Sequence, residues 1–106
     1  MSYRFMRIIL FFDLPNTKSE ETKAYTKFVK FLKKEGFMML QFSVYIKLAI
    51  TSAKADAVIE RIKKEVPKEG TIDVLIITEK QFAGIITLLG ERDSLIVNTD
   101  DRLVEL

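Results

Sequence analysis

Arg7-Ile8-Ile9-Leu10-Phe11-Phe12-Asp13-Leu14-Pro15 is the stretch from which the fold can be read. So dense a run of β-branched and aromatic residues is a buried strand, and Pro15 forbids ladder pairing beyond it. By alternation, Met6, Ile8, Leu10, Phe12 and Leu14 make one wholly apolar face. Phe5, Arg7, Ile9, Phe11 and Asp13 make the other, apolar except for a charge near each end. An open antiparallel sheet normally leaves one face to water. Here both faces ask for cover, and a chain this short has only two good helices. The second face is therefore expected to be covered by another copy, in a homodimer packed through the sheet face.

Working outward, Asn16-Thr17-Lys18-Ser19-Glu20 reads as a loop entering a helix, with Thr17 and Glu20 spaced as a capping box. Ala24, Tyr25, Phe28, Phe31 and Leu32 share one face of that helix, which should run to about Glu35 before Gly36 stops it. The extended stretch 37–48 is too long for one strand in so small a domain, so two short strands joined by a tight turn or bulge near Gln41 and Ser43 are expected. A second helix from about Ser52 carries Ala55, Val58, Ile59, Ile62 and Val66 as its buried stripe. Thr71–Thr78 is the fourth strand, and the order β-α-β-β-α-β is that of an α+β, ferredoxin-like domain. Beyond a core of about 1–78, residues 79–106 read as an extension and dimer element. In it, 79–83 is a helical turn, Ile85–Leu89 a further strand, and Leu103, Val104 and Leu106 an apolar end that pairing would tie down.

The bulk properties narrow the chemistry. At 106 residues, 48% hydrophobic and 30% charged, the chain is a single globular domain. Arg7 and Asp13 interrupt its longest apolar run, so no membrane segment is expected, and the N-terminus lacks signal-peptide features. With no cysteine the cytoplasm is the default compartment. With no histidine the usual general base and commonest metal ligand are both missing. Catalysis would have to run on carboxylates, hydroxyls, lysine or arginine, through a bound cation. Residues 1–68 hold 14 Lys/Arg against 7 Asp/Glu, and residues 69–106 hold 3 against 8. Such asymmetry fits an anionic partner for the first part, although opposite charges that simply offset on the folded surface would give the same count.

Three groupings carry the chemistry. Asp13 ends a buried strand, where a carboxylate needs water, a partner or a cation. Two Asp13 side chains facing across a dimer axis would repel, and Mg²⁺ or Mn²⁺ between them would relieve that repulsion and could polarise a phosphodiester. The plainer alternative is a carboxylate that is solvated or paired with Arg7. Lys23, Lys27, Lys30 and Lys34 lie four, three and four apart, one stripe on the first helix. With Arg4, Arg7 and Lys18 they form a candidate nucleic-acid surface, a solvated helix face being the alternative. Ser43 and Tyr45, aligned by alternation with Gln41, are candidate supporting groups. No base is evident to activate Ser43, so phosphate positioning or a turn role suits it better than nucleophilic attack.

Phe12-Asp13-Leu14-Pro15, Lys23-Ala24-Tyr25, Phe28-Val29-Lys30-Phe31-Leu32, Gln41-Phe42-Ser43-Val44-Tyr45 and Thr78-Glu79-Lys80-Gln81-Phe82 occur in this order. The combination resembles the second CRISPR-associated core family, the small subunit of the spacer-acquisition machinery, in its type II branch. The resemblance implies a ferredoxin-like homodimer that sits between CRISPR integrase dimers and bridges duplex DNA with basic residues. It also implies Mg²⁺-dependent endonuclease activity on RNA or double-stranded DNA, with Asp13 as the catalytic and metal-holding residue. A non-catalytic DNA-bridging scaffold and a plain ferredoxin-like dimerisation module are the alternatives. Many relatives carry arginines early in the first helix where this chain has Lys23 and Ala24. Lysine is a poorer bidentate phosphate ligand, so an arginine clamp does not transfer.

Overall fold

The computed structural model describes residues 5–91. Arg4 and the apolar end at Leu103, Val104 and Leu106 lie outside the described residues. In chain order the elements are β1 (Met6–Asp13), α1 (Ser19–Lys34), β2 (Met38–Gln41), β3 (Val44–Ala49), α2 (Ser52–Lys63), β4 (Thr71–Thr78) and α3 (Glu79–Ala83). The strands form one sheet in the order β2-β3-β1-β4, every neighbour antiparallel. This is the ferredoxin-like arrangement. The most apolar strand, β1, takes an inner place, whereas β4, with Thr71, Asp73 and Leu75 exposed, forms an edge.

The wholly apolar face of β1 is the one the helices cover. Ile8, Leu10 and Phe12 pack with Phe28 and Leu32 of α1 and Ala55, Val58 and Ile62 of α2. Phe12 is the hub. The rings of Tyr25 and Phe28 meet it edge-on at 5.8 and 6.0 Å, and Tyr45 stacks on it at 6.0 Å, geometries that aromatic quadrupoles favour. Arg61 straps the two helices together through Glu35, with Nη2 to Oε1 at 2.9 Å.

Helix boundaries depart from expectation for local reasons. The first helix is capped one residue later than the Thr17–Glu20 spacing suggests. Its N-cap, Lys18, has no acceptor to offer, and Glu21 reaches back to accept the N–H groups of Thr17 and Lys18 at 3.0 Å each. At α2 the Thr51 hydroxyl accepts the Lys54 N–H at 3.1 Å, as an N-cap should. That helix ends at Lys63, so Val66 falls beyond it and is exposed, not part of the buried stripe.

The other face of the sheet is half covered. Thr78-Glu79-Lys80-Gln81-Phe82 explains why. The Thr78 hydroxyl accepts the Gln81 N–H at 3.0 Å, and the Gln81 side chain accepts the Thr78 N–H at 2.9 Å, a reciprocal box that starts α3. Phe82 then lies over Ile46, with Ile9, Leu40 and Ile77 around them. Towards the other end of β1, Phe11 and Leu75 stay 40% and 53% exposed. The strand expected at Ile85–Leu89 is absent. The segment leaves α3 without ladder partners, and Ile86, Leu88 and Leu89 are at least 80% exposed.

Candidate active site

Asp13 is the last residue of β1 and is exposed. Its ladder partner on β4 is Thr71, and Phe11, on the same face, stands opposite Asp73. The register thus places Asp73 diagonal to Asp13, a cross-strand spacing of about 7–8 Å between α-carbons. The sequence expectations omit this second carboxylate. Alternation along Thr71-Ile72-Asp73 is the signal that could have found it.

The backbone at this end is anchored on both sides. The Phe12 N–H donates to the Ser43 carbonyl at 3.1 Å, past the last β1–β3 ladder pair of Phe11 with Val44. Ser43 sits at φ 67°, the left-handed region, alone among the described non-glycine residues. It therefore serves as the turn between β2 and β3, through its main chain. On the other side Gly70, in the α2–β4 loop, lies against the main chain of Asp13 and Leu14.

Arg7 has a different fate from the one expected. It is 4% exposed, its Nε and Nη2 donate to the two Glu79 carboxylate oxygens at 2.6 and 2.7 Å, and its guanidinium lies 4.5 Å from the Phe82 ring centroid. Six residues of strand, about 20 Å, separate Arg7 from Asp13, so the two do not pair. Nor is this cation offered to a phosphate. It is the buried anchor of α3.

Tyr45 is likewise a core residue, 4% exposed and stacked on Phe12; burial pushes its hydroxyl pKa up. It does not share a face with Gln41. A register shift between Met39 and Gln41 sets Gln41 opposite Val44 and Met39 opposite Tyr45, and adjacent strand residues point to opposite faces. The bulge undoes the alternation on which that grouping rests.

Lys18, Lys23, Lys27, Lys30 and Lys34 are all exposed. The stripe lies on the solvent side of α1, whose other side buries Phe28 and Leu32 against the sheet. Asp13 belongs to the opposite face of that sheet. The stripe and the carboxylate are thus on two different surfaces of one protomer. A groove of about 480 Å³ runs from Leu14 and Tyr25 to Val66 and Pro67. Four lysines and four glutamates line it, in equal number.

Among the described residues no group of three acidic, histidine or cysteine side chains could hold a metal ion. A protein cage is therefore missing among the described residues of one protomer. Mg²⁺ typically keeps several waters and takes one or two carboxylates with substrate phosphates. The exposed Asp13 carboxylate is a ligand of that kind.

Comparison with known proteins follows the same line. The family described as CRISPR associated protein Cas2 matches residues 6–85. A protein of Streptococcus mutans serotype c named CRISPR-associated endoribonuclease Cas2 is 55% identical over 101 residues, covering 95% of this chain and 93% of its own length. One of the same name from Treponema denticola is 45% identical, covering 95% and 100%. A crystal structure titled as that of cas2 superposes with a TM-score of 0.60 at 20% identity, covering 85% of this chain and 92% of its own. At that identity the likeness speaks for the fold alone. Among the described residues no helix is long and apolar enough to cross a membrane.

Proposed function

This chain belongs to the CRISPR-associated Cas2 family, and we propose that it acts in CRISPR spacer acquisition as a homodimeric, Mg²⁺-dependent endonuclease centred on Asp13. In this reading it cuts RNA or double-stranded DNA, and it also binds duplex DNA and bridges the CRISPR integrase. The observation that carries the reading is the exposed Asp13 carboxylate, on the half of the sheet face that α3 leaves open. The relatives named endoribonucleases support the same reaction class.

When bound, Mg²⁺ would supply Lewis-acid polarisation of the phosphodiester and a water of lowered pKa. Asp13 would hold and orient that ion through its carboxylate. The rigid end of β1 fixes where the carboxylate stands. With no histidine in the chain, no imidazole is available as general base, which leaves carboxylates, hydroxyls, lysine and arginine for proton transfer.

A second reading has its own observation. The exposed lysines of α1 lie on the surface away from Asp13, so duplex binding and cleavage are separable properties. A scaffold that bridges DNA would need only the first. Labelled RNA and duplex DNA incubated across a Mg²⁺ titration decide between the two. Asp13→Asn is expected to lose cleavage and keep duplex affinity. Changing Lys23, Lys27, Lys30 and Lys34 together to alanine is expected to weaken duplex binding and flatten its salt dependence, by a slope of about 0.9 for each phosphate no longer neutralised. Unchanged cleavage by Asp13→Asn would sink the enzymatic reading, and intact dimers that bind duplex and cut nothing would establish the scaffold.

A further inference from the structure

Asp13 is the last residue of the inner strand β1, paired with Thr71 on the β4 side and two residues past the last β1–β3 pair, Phe11 with Val44. Two further main-chain contacts hold this end. On the β3 side the ladder proper ends at Phe11 and Val44, and the Phe12 N–H reaches on to the Ser43 carbonyl at 3.1 Å. On the β4 side Gly70 closes against the peptide that follows Asp13. A methyl group on Gly70 would sit 2.8 Å from the Asp13 carbonyl oxygen, 3.1 Å from Leu14 Cα and 2.6 Å from Leu14 Cδ2. Two of those three are backbone atoms, which cannot swing away as a side-chain end can. Gly70 also holds φ +107°, a conformation side chains rarely adopt.

We propose that Gly70 is a positioning residue for Asp13, its bare α-carbon letting the α2–β4 loop seat on the Asp13 carbonyl and so fix the direction in which the carboxylate leaves the strand. The inference rests on Asp13 being the reacting carboxylate. An aspartate side chain has only two torsions, so its reach is set largely by its backbone. Displacing the carbonyl by a few tenths of an ångström therefore moves the carboxylate with it. Reaction rates are steep in such displacements, with losses on the order of 100-fold for 1 Å.

Gly36 supplies a matched control. It holds φ +100°, but a methyl there would meet only the flexible end of the Lys47 side chain, with Nζ at 2.7 Å. Lys47 is registered against Ile8, five residues up the strand from Asp13. Gly36→Ala therefore carries a similar dihedral cost without touching the site.

The test uses the full chain with labelled RNA, reading kcat and KM, and separately the Mn²⁺ concentration at half-saturation followed by electron paramagnetic resonance without substrate. Gly70→Ala is expected to lower kcat by roughly 3- to 10-fold, with KM little changed and the Mn²⁺ midpoint moved upward. Gly36→Ala should keep both near wild type once folding is complete. Should Gly70→Ala fold poorly, adding Leu14→Ala removes the side-chain clash and leaves the push on the Asp13 carbonyl. That double variant is expected to regain stability but not kcat. Folded Gly70→Ala with wild-type kcat and Mn²⁺ midpoint overturns the proposal while Asp13→Asn remains inactive. Equal losses in Gly36→Ala overturn it as well, since general destabilisation would then account for them. Full cleavage by Asp13→Asn, or none by the wild type, removes the functional reading and this inference together.

Discussion

Arg7 shows how far one residue's meaning depends on a contact that local sequence does not carry. In the strand it looks like a solvent-facing cation, and the basic surplus around it suggests a phosphate ligand. Its partner, Glu79, lies 72 residues on and is brought beside it by the β1–β4 register, in which Met6 stands opposite Thr78. Both side chains are nearly buried, at 5% and 12% exposure, and the pair is bidentate. Bidentate geometry satisfies the fork of the guanidinium, which single contacts would not. Removing one member leaves a buried charge with its principal partner gone, at a cost of about 3–5 kcal/mol. Glu79→Gln is therefore expected to lower the urea midpoint strongly with little change in the denaturant slope. The double variant Arg7→Met/Glu79→Leu should recover most of the loss, because a matched apolar pair leaves no charge to desolvate. A single variant as stable as wild type would mean that α3 is held by Phe82 alone.

The elements themselves are largely legible in the sequence, and the reasons are specific. Alternation in Met6–Leu14 identifies which face the helices cover, because Arg7 and Asp13 mark the other one. The strand Thr71–Thr78 follows from β-propensity after Gly70, and the turn near Ser43 from the length of 37–48. Three features are legible only in part or not at all. A turn or bulge near Gln41 is expected from the length of 37–48, but its register, which separates Gln41 from Tyr45, is not marked by residue identities. The absence of a strand at Ile85–Leu89 depends on whether a sheet edge is within reach, a property of the whole fold. Asp73 is readable in principle, but only once β4 is known to lie beside β1.

The Arg61–Glu35 strap between α1 and α2 gives the elements a pH signature. Arg61 donating to Glu35 holds that carboxyl below its ordinary 4.5. A depressed folded-state pKa contributes stability that is present above the ordinary value and is lost as pH falls through the folded one. Acid unfolding is thus expected to steepen below about pH 4.5, and Glu35→Gln should flatten that part of the profile while lowering stability at neutral pH. Urea midpoints measured from pH 3 to 7, a range that brackets the usual carboxylate values of about 4, check this. Parallel profiles for the two proteins would mean that the strap, half of it exposed at Arg61, is screened to insignificance.

At the scale of the molecule the unanswered demand is the half-covered sheet face. The helices satisfy one face of β1, and α3 satisfies the Arg7 end of the other. What remains open is the Asp13 end, with Phe11 40% and Leu75 53% exposed side by side with Val44. Contiguous apolar surface rimmed by charges is the usual mark of an interface, and here Asp13 and Asp73 form the rim. A second copy packed on this half would cover Phe11 and Leu75 and bring the two Asp13 carboxylates towards one another across the axis. It would also explain why the carboxylate and the lysine stripe lie on opposite surfaces, since the dimer would then present a lysine stripe on each outer side and the reaction centre between. The deciding variant is Leu75→Glu, which places a charge on the open face. Its control is Met39→Glu, equally exposed at 50% but registered with Tyr45 on the helix side. Light scattering should give a dimer for wild type and Met39→Glu and a monomer for Leu75→Glu, with RNA cleavage lost only in the monomer. A Leu75→Glu protein that stays dimeric and active would place the interface elsewhere, and one that is monomeric yet active would mean that a single Asp13 suffices.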